Sequence, residues 1–372
     1  MKRKIFILLI LSIIFLSGCW DMVEINQRLF VSSVGLDLYK KEGMNKYMVS
    51  YLYPNIEALG KEPAEETKRF LISTPSSSLF QAGREFSTQV EFPFYYKHLK
   101  VFIIGEDMAK EGKLMRQTID GLNRDTKINK KIQMLVSEGQ AKEILKGKPR
   151  TSGVTEGIIY NILEDNRSAS RFTPHTLTDI IRDTDLCNVT VVPRIVKREK
   201  ELRISGGAIL KNYELIGWIG EKENRALALI KNEVKLELID APYKDIIISY
   251  NVTEAKSNKK ITIDGHINTD LTVSLEGYLQ EYIMTEDNTG FSIKAQGDME
   301  KAIEKKVKKE IERTIELLQK EYKADLIGVG EHLSRFQPKE WKRLEDNWEN
   351  IFPDVKFNVK VIAKIRRTGL TK

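Results

Sequence analysis

"HLKVFIIGEDMAKEGKLMRQTIDGLNRD", residues His98 to Asp125, followed a few residues later by "KIQMLVSEG", residues Lys131 to Gly139, decides the fold class. Leu99 to Ile104 is a short apolar run rich in β-branched residues and closed by Gly105, the texture of a strand. From about Met108 to Leu122 apolar and charged residues mix as they do on a helix. "KIQMLVSEG" returns to a strand, and "QAKEILKG" reads as a short helix ending at Gly147. Strand, helix, strand, helix in this order requires a crossover connection, so the sheet here is mixed.

The pattern extends in both directions. Leu29 to Tyr39 and Met44 to Tyr53 read as two strands around the turn-like "KKEG", an early hairpin. "LGKEPAEETK" (Leu59 to Lys68) is polar and loop-like, and a helix starts within Ser76 to Phe86, after Pro75. Beyond "GKPRTSG", Gly157 to Asn166 and Pro174 to Asp183 read as helices. A composition shift at "VKREKEL", Val196 to Leu202, marks a domain boundary near residue 200. After it come a strand, a turn at Lys211 to Glu214, a second strand ending in Gly217-Trp218, and a helix through "KENRALALIKN". Ile246 to Val252, Lys259 to Thr269 and Leu271 to Glu276 supply further strands of an antiparallel sheet. Asp298 to Tyr322 is the clearest helix. Ile303, Val307, Ile311, Ile315, Leu318 and Tyr322 recur at spacings of three and four and share one face, while Glu304 and Lys308 stand in a favourable i,i+4 order on another. Alternation from Val355 to Ala363 gives a last strand. The expectation is a multidomain α+β chain whose C-terminal domain is an antiparallel sheet packed with a long helix.

The N-terminus specifies location. Lys2, Arg3 and Lys4 form a basic head, Ile5 to Leu16 a twelve-residue apolar core, and Ser17-Gly18 a small-residue exit. Twelve residues fall short of the roughly 20 that a transmembrane helix needs. Leu16-Ser17-Gly18-Cys19 fits a lipobox, in which the Cys19 thiol receives a diacylglyceryl group and a peptidase cuts before it, with N-acylation of the new terminus a further option. Residues 1–18 are then a lipoprotein signal peptide, 19–200 an N-terminal α+β region and 201–372 a C-terminal α+β domain. Two acyl chains hold a protein on a bilayer where one binds only marginally.

Once Cys19 carries lipid, Cys187 is the one remaining thiol, so neither a disulfide framework nor a four-cysteine metal site is available; Cys187 reads as a buried small hydrophobe. Without the signal the chain has 57 Lys+Arg against 53 Asp+Glu, a mild excess of +4 that does not argue for nucleic acid. His98, His175, His266 and His332 are scattered, with no metal-ligand spacing. No nucleophile elbow, phosphate loop or dinucleotide fingerprint occurs. Ser257 and Lys260 stand at S-x-x-K spacing without companion motifs. No catalytic, cofactor-binding or metal residue is assigned.

"GCWDMVEIN" followed by "VSSVGLDL" resembles the start of a mature spore germination lipoprotein of the Ger(x)C family. The likeness continues through "HLKVFIIGEDMAKEG", "LNRD", "SEGQAKEIL" and "GGAILKNYELIGWIGEKENRALALIKNEV" to the closing "FQPKEWKRLEDNWENIFPDVKFNVKVIAKIRRTGL". The resemblance implies a non-enzymatic C subunit of a nutrient germinant receptor, on the outer face of the spore's inner membrane, working with two integral membrane subunits, A and B. It also implies three α+β domains, two of them before residue 200. It carries over no nutrient-contacting residue and no nucleic-acid partner.

Candidate interface residues follow, each with two open readings. Trp20 and Asp21, with Glu24, meet headgroups or a partner, or Trp20 packs on its own domain. Trp341 and Trp348, seven residues apart, pack in the core or form an exposed aromatic patch. Arg366 and Arg367 meet anionic lipid or cap a sheet edge. The rival class is a solute-binding lipoprotein of a transporter, for which two repeated α/β lobes are expected.

Overall fold

The computed structural model describes residues 24, 27–41, 46–55, 69–147, 155–164, 170–198, 201–234, 236–281 and 293–368. The polar 59–68 stretch, most of "GKPRTSG", and Cys19, Trp20 and Asp21 lie outside the described residues.

The opening hairpin forms from β2 (Ser33–Leu38) and β3 (Tyr47–Pro54), preceded by the two-residue β1 (Leu29–Phe30) and extended by β4 (Arg69–Ser76). Helix α1 (Leu79–Phe86) starts where Ser78 caps the Gln81 amide at 3.0 Å. Then follow β5 (Phe94–Tyr95), β6 (Val101–Gly105), the short α2 (Glu106–Ala109), α3 (Gly112–Arg124), β7 (Gln133–Ser137), α4 (Ala141–Leu145), α5 (Thr155–Glu164) and α6 (Leu177–Cys187). Every residue of β6 and β7 is buried, as central parallel strands covered on both faces must be.

Strands β8 (Val189–Arg198), β9 (Glu201–Lys211) and β10 (Glu214–Ile219) complete an eight-stranded sheet of order β10-β9-β8-β7-β6-β2-β3-β4, in which β2, β6, β7 and β8 are parallel neighbours. Sequence reasoning missed β8 because its apolar run is fully buried and does not alternate. Strand pairing runs directly across the expected boundary near 200, with Arg198 opposite Glu201.

Helix α7 (Glu221–Lys231) leads to a four-stranded sheet of order β11-β12-β13-β14: β11 (Glu237–Tyr243), β12 (Ile246–Asp264), β13 (His266–Glu281) and β14 (Lys356–Thr368). The stretch Lys259 to Thr269 is not one strand but the tip of the β12–β13 hairpin, which folds back at Gly265 with φ 66°. Asp264-Gly265 is a hairpin signal that the apolar alternation on either side concealed. Between β13 and β14 the chain crosses the sheet through α8 (Ile293–Leu317), one π-type turn (Leu318–Tyr322), α9 (Val329–Phe336), α10 (Pro338–Leu344) and α11 (Trp348–Ile351). That crossover makes β14 parallel to β13 in a sheet otherwise antiparallel.

The periodicity of α8 is realised in space. Ile303, Val307, Ile311, Ile315 and Leu318 are buried against the sheet, and Tyr322 is half-buried with its hydroxyl donating to the Trp218 carbonyl at 3.0 Å. Glu304 does not pair with Lys308. It accepts from the Ala363 amide at 3.1 Å, and Glu300 accepts from the Ile365 amide at 3.0 Å, so two helix carboxylates satisfy donors on the free edge of β14.

Strands β8 to β10 join the two halves. Val192, Ala208, Leu210 and Leu215 face the core beneath α1, α3 and α6, while Val189, Val191, Ile209 and Ile219 face the core shared with α7, α8 and the second sheet. One sheet of eight strands and one of four, packed together through a core to which β8 to β10 contribute, are not two repeated α/β lobes.

Candidate functional site

The chain enters the folded body through β1, whose two residues pair in parallel with β5. The Leu29 amide donates to the Pro93 carbonyl at 3.0 Å and the Val31 amide to the Tyr95 carbonyl at 3.1 Å. The Arg28 guanidinium stands 5.0 Å from the Tyr95 ring centre, and Phe30 meets Tyr95 and His98 edge-on at 5.5 and 5.2 Å. Glu24, near the start of this entry segment, is exposed.

Beside this entry lies a hollow of about 400 Å³ between α1, the 90–96 segment and the end of α3. Its walls include Tyr51, Phe80, Phe92, Phe94 and Tyr96. The Tyr51 ring packs on Phe94 at 5.2 Å and on Tyr96 at 5.7 Å, and the Tyr96 hydroxyl donates to the Tyr51 hydroxyl at 3.4 Å. Burial holds the Tyr51 hydroxyl well above the ordinary phenol range, so it stays protonated. A Cβ on Gly83 would lie 2.7 Å from the Tyr96 hydroxyl, so glycine lets the helix approach that ring. Phe80 keeps 44 % of its surface exposed. Arg84, Asp125 and Lys127 supply charge to the lining, and Asp125 accepts from the Lys127 amide at 2.7 Å. The volume and apolar lining, with few polar groups, fit a binding hollow. Sequence reasoning missed it because its walls come from segments far apart in the chain, from Val34 to Ile128; the aromatic run "FPFYY" was the available signal.

The other candidate residues are dispersed. Trp341 and Trp348 sit on two helices separated by a 3₁₀ turn, their rings 5.2 Å apart and edge-on. Trp348 is 6 % exposed and its indole N–H donates to the Asp325 carboxylate at 3.1 Å, while Trp341 is half-buried beside it. Arg366 is exposed on β14 and forms a two-point ion pair with Glu276, at 2.6 and 3.0 Å; the Arg367 backbone pairs with Tyr278. Trp218, next to last in β10, is half-buried, with the Arg194 guanidinium 5.9 Å from its ring centre.

Two arrangements resemble chemistry without offering it. Ser257 and Lys260 lie three apart on β12, where odd spacing sends side chains to opposite faces of a strand. Thr190, His175 and Asp183 touch, with Thr190 Oγ1 2.9 Å from His175 Nε2 and His175 Nε2 2.9 Å from Asp183 Oδ2, but Thr190 is 1 % exposed. Burial pushes the half-buried Cys187 thiol up to about 12, the state of an inert cysteine. Among the described residues no cluster of His, Cys, Asp and Glu could hold a metal, and no helix is long and apolar enough to cross a membrane.

A multidomain α+β architecture, entered at one aromatic end and lacking a recognisable catalytic cluster among the described residues, defines the class. Two family models match in tandem: "Spore germination protein N-terminal domain" over residues 21–197 and "Spore germination B3/GerAC like, C-terminal" over 205–369. Similar proteins from Bacillus subtilis (strain 168) include spore germination protein A3, 26 % identical over 98 % of both chains, and spore germination protein KC, 25 % identical over 99 % of this chain and 96 % of its own. Spore germination protein B3 of the same organism is 22 % identical over 95 % of each. The crystal structure of the GerBC protein superposes with a TM-score of 0.62 over 90 % of this chain and 97 % of that one, at 19 % identity, the same fold. The chain belongs to the Ger(x)C family of spore germination proteins.

Proposed function

We propose that the chain is the lipid-anchored, non-enzymatic C subunit of a spore nutrient germinant receptor, held at the outer face of the spore inner membrane and assembled with A and B integral membrane subunits. The tandem match of both family models over nearly all of the sequence after Cys19 carries this reading. In it, residues 1–18 are removed, Cys19 bears the diacylglyceryl group, and 19–200 and 201–372 form the N-terminal region and C-terminal domain. Only nine residues separate Cys19 from Leu29, where strand pairing starts. Fully extended they reach roughly 30 Å, so the anchor keeps β1 and β5 close to the bilayer. Trp20, Asp21 and Glu24 lie within that tether, and Arg366 and Arg367 in the last strand are the basic pair proposed to meet anionic partners, for which Arg366 would exchange its ion pair with Glu276.

Crosslinking intact spore membranes and recovering the protein in mild detergent tests the assembly. Two integral receptor subunits are expected by mass spectrometry, and both are lost on Cys19→Ala. Recovery of an ATPase complex instead would revive the solute-binding lipoprotein of a transporter.

A further inference from the structure

We propose that the aromatic hollow beside β1 and β5 binds a phospholipid of the membrane in which the chain is anchored, taking part of one acyl chain between its rings while rim cations meet the phosphate. The inference rests on the reading of Cys19 as an anchored residue and adds where on the body the bilayer is met.

The place where the chain enters the fold decides the occupant. Leu29 hydrogen-bonds to Pro93, and Pro93 itself lines the hollow. The tether therefore ends at the rim of the site, within a nine-residue reach of the anchored cysteine. Any lipid surface holding Cys19 is presented to this end of the molecule at high effective concentration. The walls suit it. Phe80, Phe92 and Phe94 expose ring surface without a polar tip, and the Tyr51 and Tyr96 hydroxyls bond to each other, leaving an apolar interior.

A hollow of about 400 Å³ admits a stretch of hydrocarbon chain but not a protein element such as a helix, which with side chains is roughly 10 Å across. Among the lining residues, Arg84 and Lys127 are exposed cations with no ion pair among the described contacts. The acids nearby are exposed Glu91 and half-buried Asp125, the latter held by the Lys127 amide. Aromatic rings with flanking cations are the composition that settles at a membrane interface.

The test uses the mature chain from Cys19 with Cys187→Ser, so that Cys19 is the single thiol, coupled chemically through a maleimide lipid to vesicles of phosphatidylcholine and phosphatidylglycerol. Trp20→Phe removes the tether's own indole and Phe92→Trp places a reporter in the wall. Lipids brominated on the acyl chain are expected to quench the added emission. Arg84→Glu with Lys127→Glu, both at exposed positions that leave the core untouched, is expected to lower the docked fraction by about fivefold or more. Phe80→Glu is expected to abolish the quenching while circular dichroism stays unchanged. Absence of quenching at position 92, or quenching that persists through both sets of rim and wall changes, overturns the proposal. Because the coupling is chemical, the result is independent of whether cells lipidate Cys19 or whether the chain joins a receptor; those are read by the Cys19→Ala recovery experiment.

Discussion

Asp325 shows how much one buried side chain organises. Its carboxylate accepts the backbone amides of Gly328, Val329 and Gly330 and the Trp348 indole, between 2.7 and 3.1 Å, at 5 % exposure. It fixes the start of α9 and ties α11 to it. Asp325→Ala leaves four buried donors without a partner and is expected to cost at least about 3 kcal/mol in urea unfolding, whereas Trp348→Phe, which loses one bond, costs about 1 kcal/mol. Asp183 makes a prediction in pH. Burial raises its pKa, but the His175 hydrogen bond and charge, with Arg182, outweigh this and hold the carboxyl well below its ordinary value. A depressed carboxylate contributes stability that is complete above its unfolded value near 3.8 and is lost as pH falls through the folded value. The stability difference between the protein and Asp183→Asn is therefore expected to shrink as pH falls below about 4. None of these partnerships was legible beforehand: Asp325 and Trp348 are 23 residues apart, and local spacing had aligned Trp348 with Trp341 instead.

At the scale of elements, Arg225 on α7 bridges Glu237 on β11 at 3.1 Å and Glu310 on α8 at 2.7 Å, with all three side chains at most 16 % exposed. The arginine keeps its charge against the cost of burial because two carboxylates face it. Arg225→Leu leaves Glu310 only the Lys306 ammonium at 3.2 Å and Glu237 only the Ser170 amide at 2.9 Å, and is expected to lower stability by about 3 kcal/mol in chemical denaturation, with a smaller loss when Glu237 and Glu310 become Gln as well. The elements themselves were largely legible. The amphipathic period of α8 needs only its own residues, and the β2–β3 hairpin is announced by two β-rich runs around a polar turn. The β12–β13 hairpin was cut into pieces because the polar, largely exposed stretch Thr253 to Asn258 interrupts β12, while the apolar alternation of Ile261, Ile263 and Ile267 runs through the turn at Gly265.

For the whole molecule, the eight-stranded sheet carries the consequence. A fragment ending at Lys200 keeps the residues before the composition shift but loses β9 and β10, leaving β8 as an unpaired edge with Val191 and Val192 uncovered. Such a fragment is expected to aggregate or to lose its near-ultraviolet circular dichroism, whereas a chain through residue 368 unfolds cooperatively. The charge-rich stretch at 196–202 is therefore the far end of a hairpin as well as a change in composition. Charge and polarity report exposure, and the end of a hairpin can carry as many charged residues as a linker.

The amino-acid sequence by itself determined the α+β class, the order of crossover, hairpin and long helix, and the family resemblance, because each rests on residues close together in the chain. Only the tertiary structure decided that β8 to β10 serve two cores, that β14 lies parallel to β13, that Trp348 is consumed in packing, and that an aromatic hollow opens beside β1. These depend on which distant segments meet, and pairing across tens of residues is set by the burial of whole surfaces.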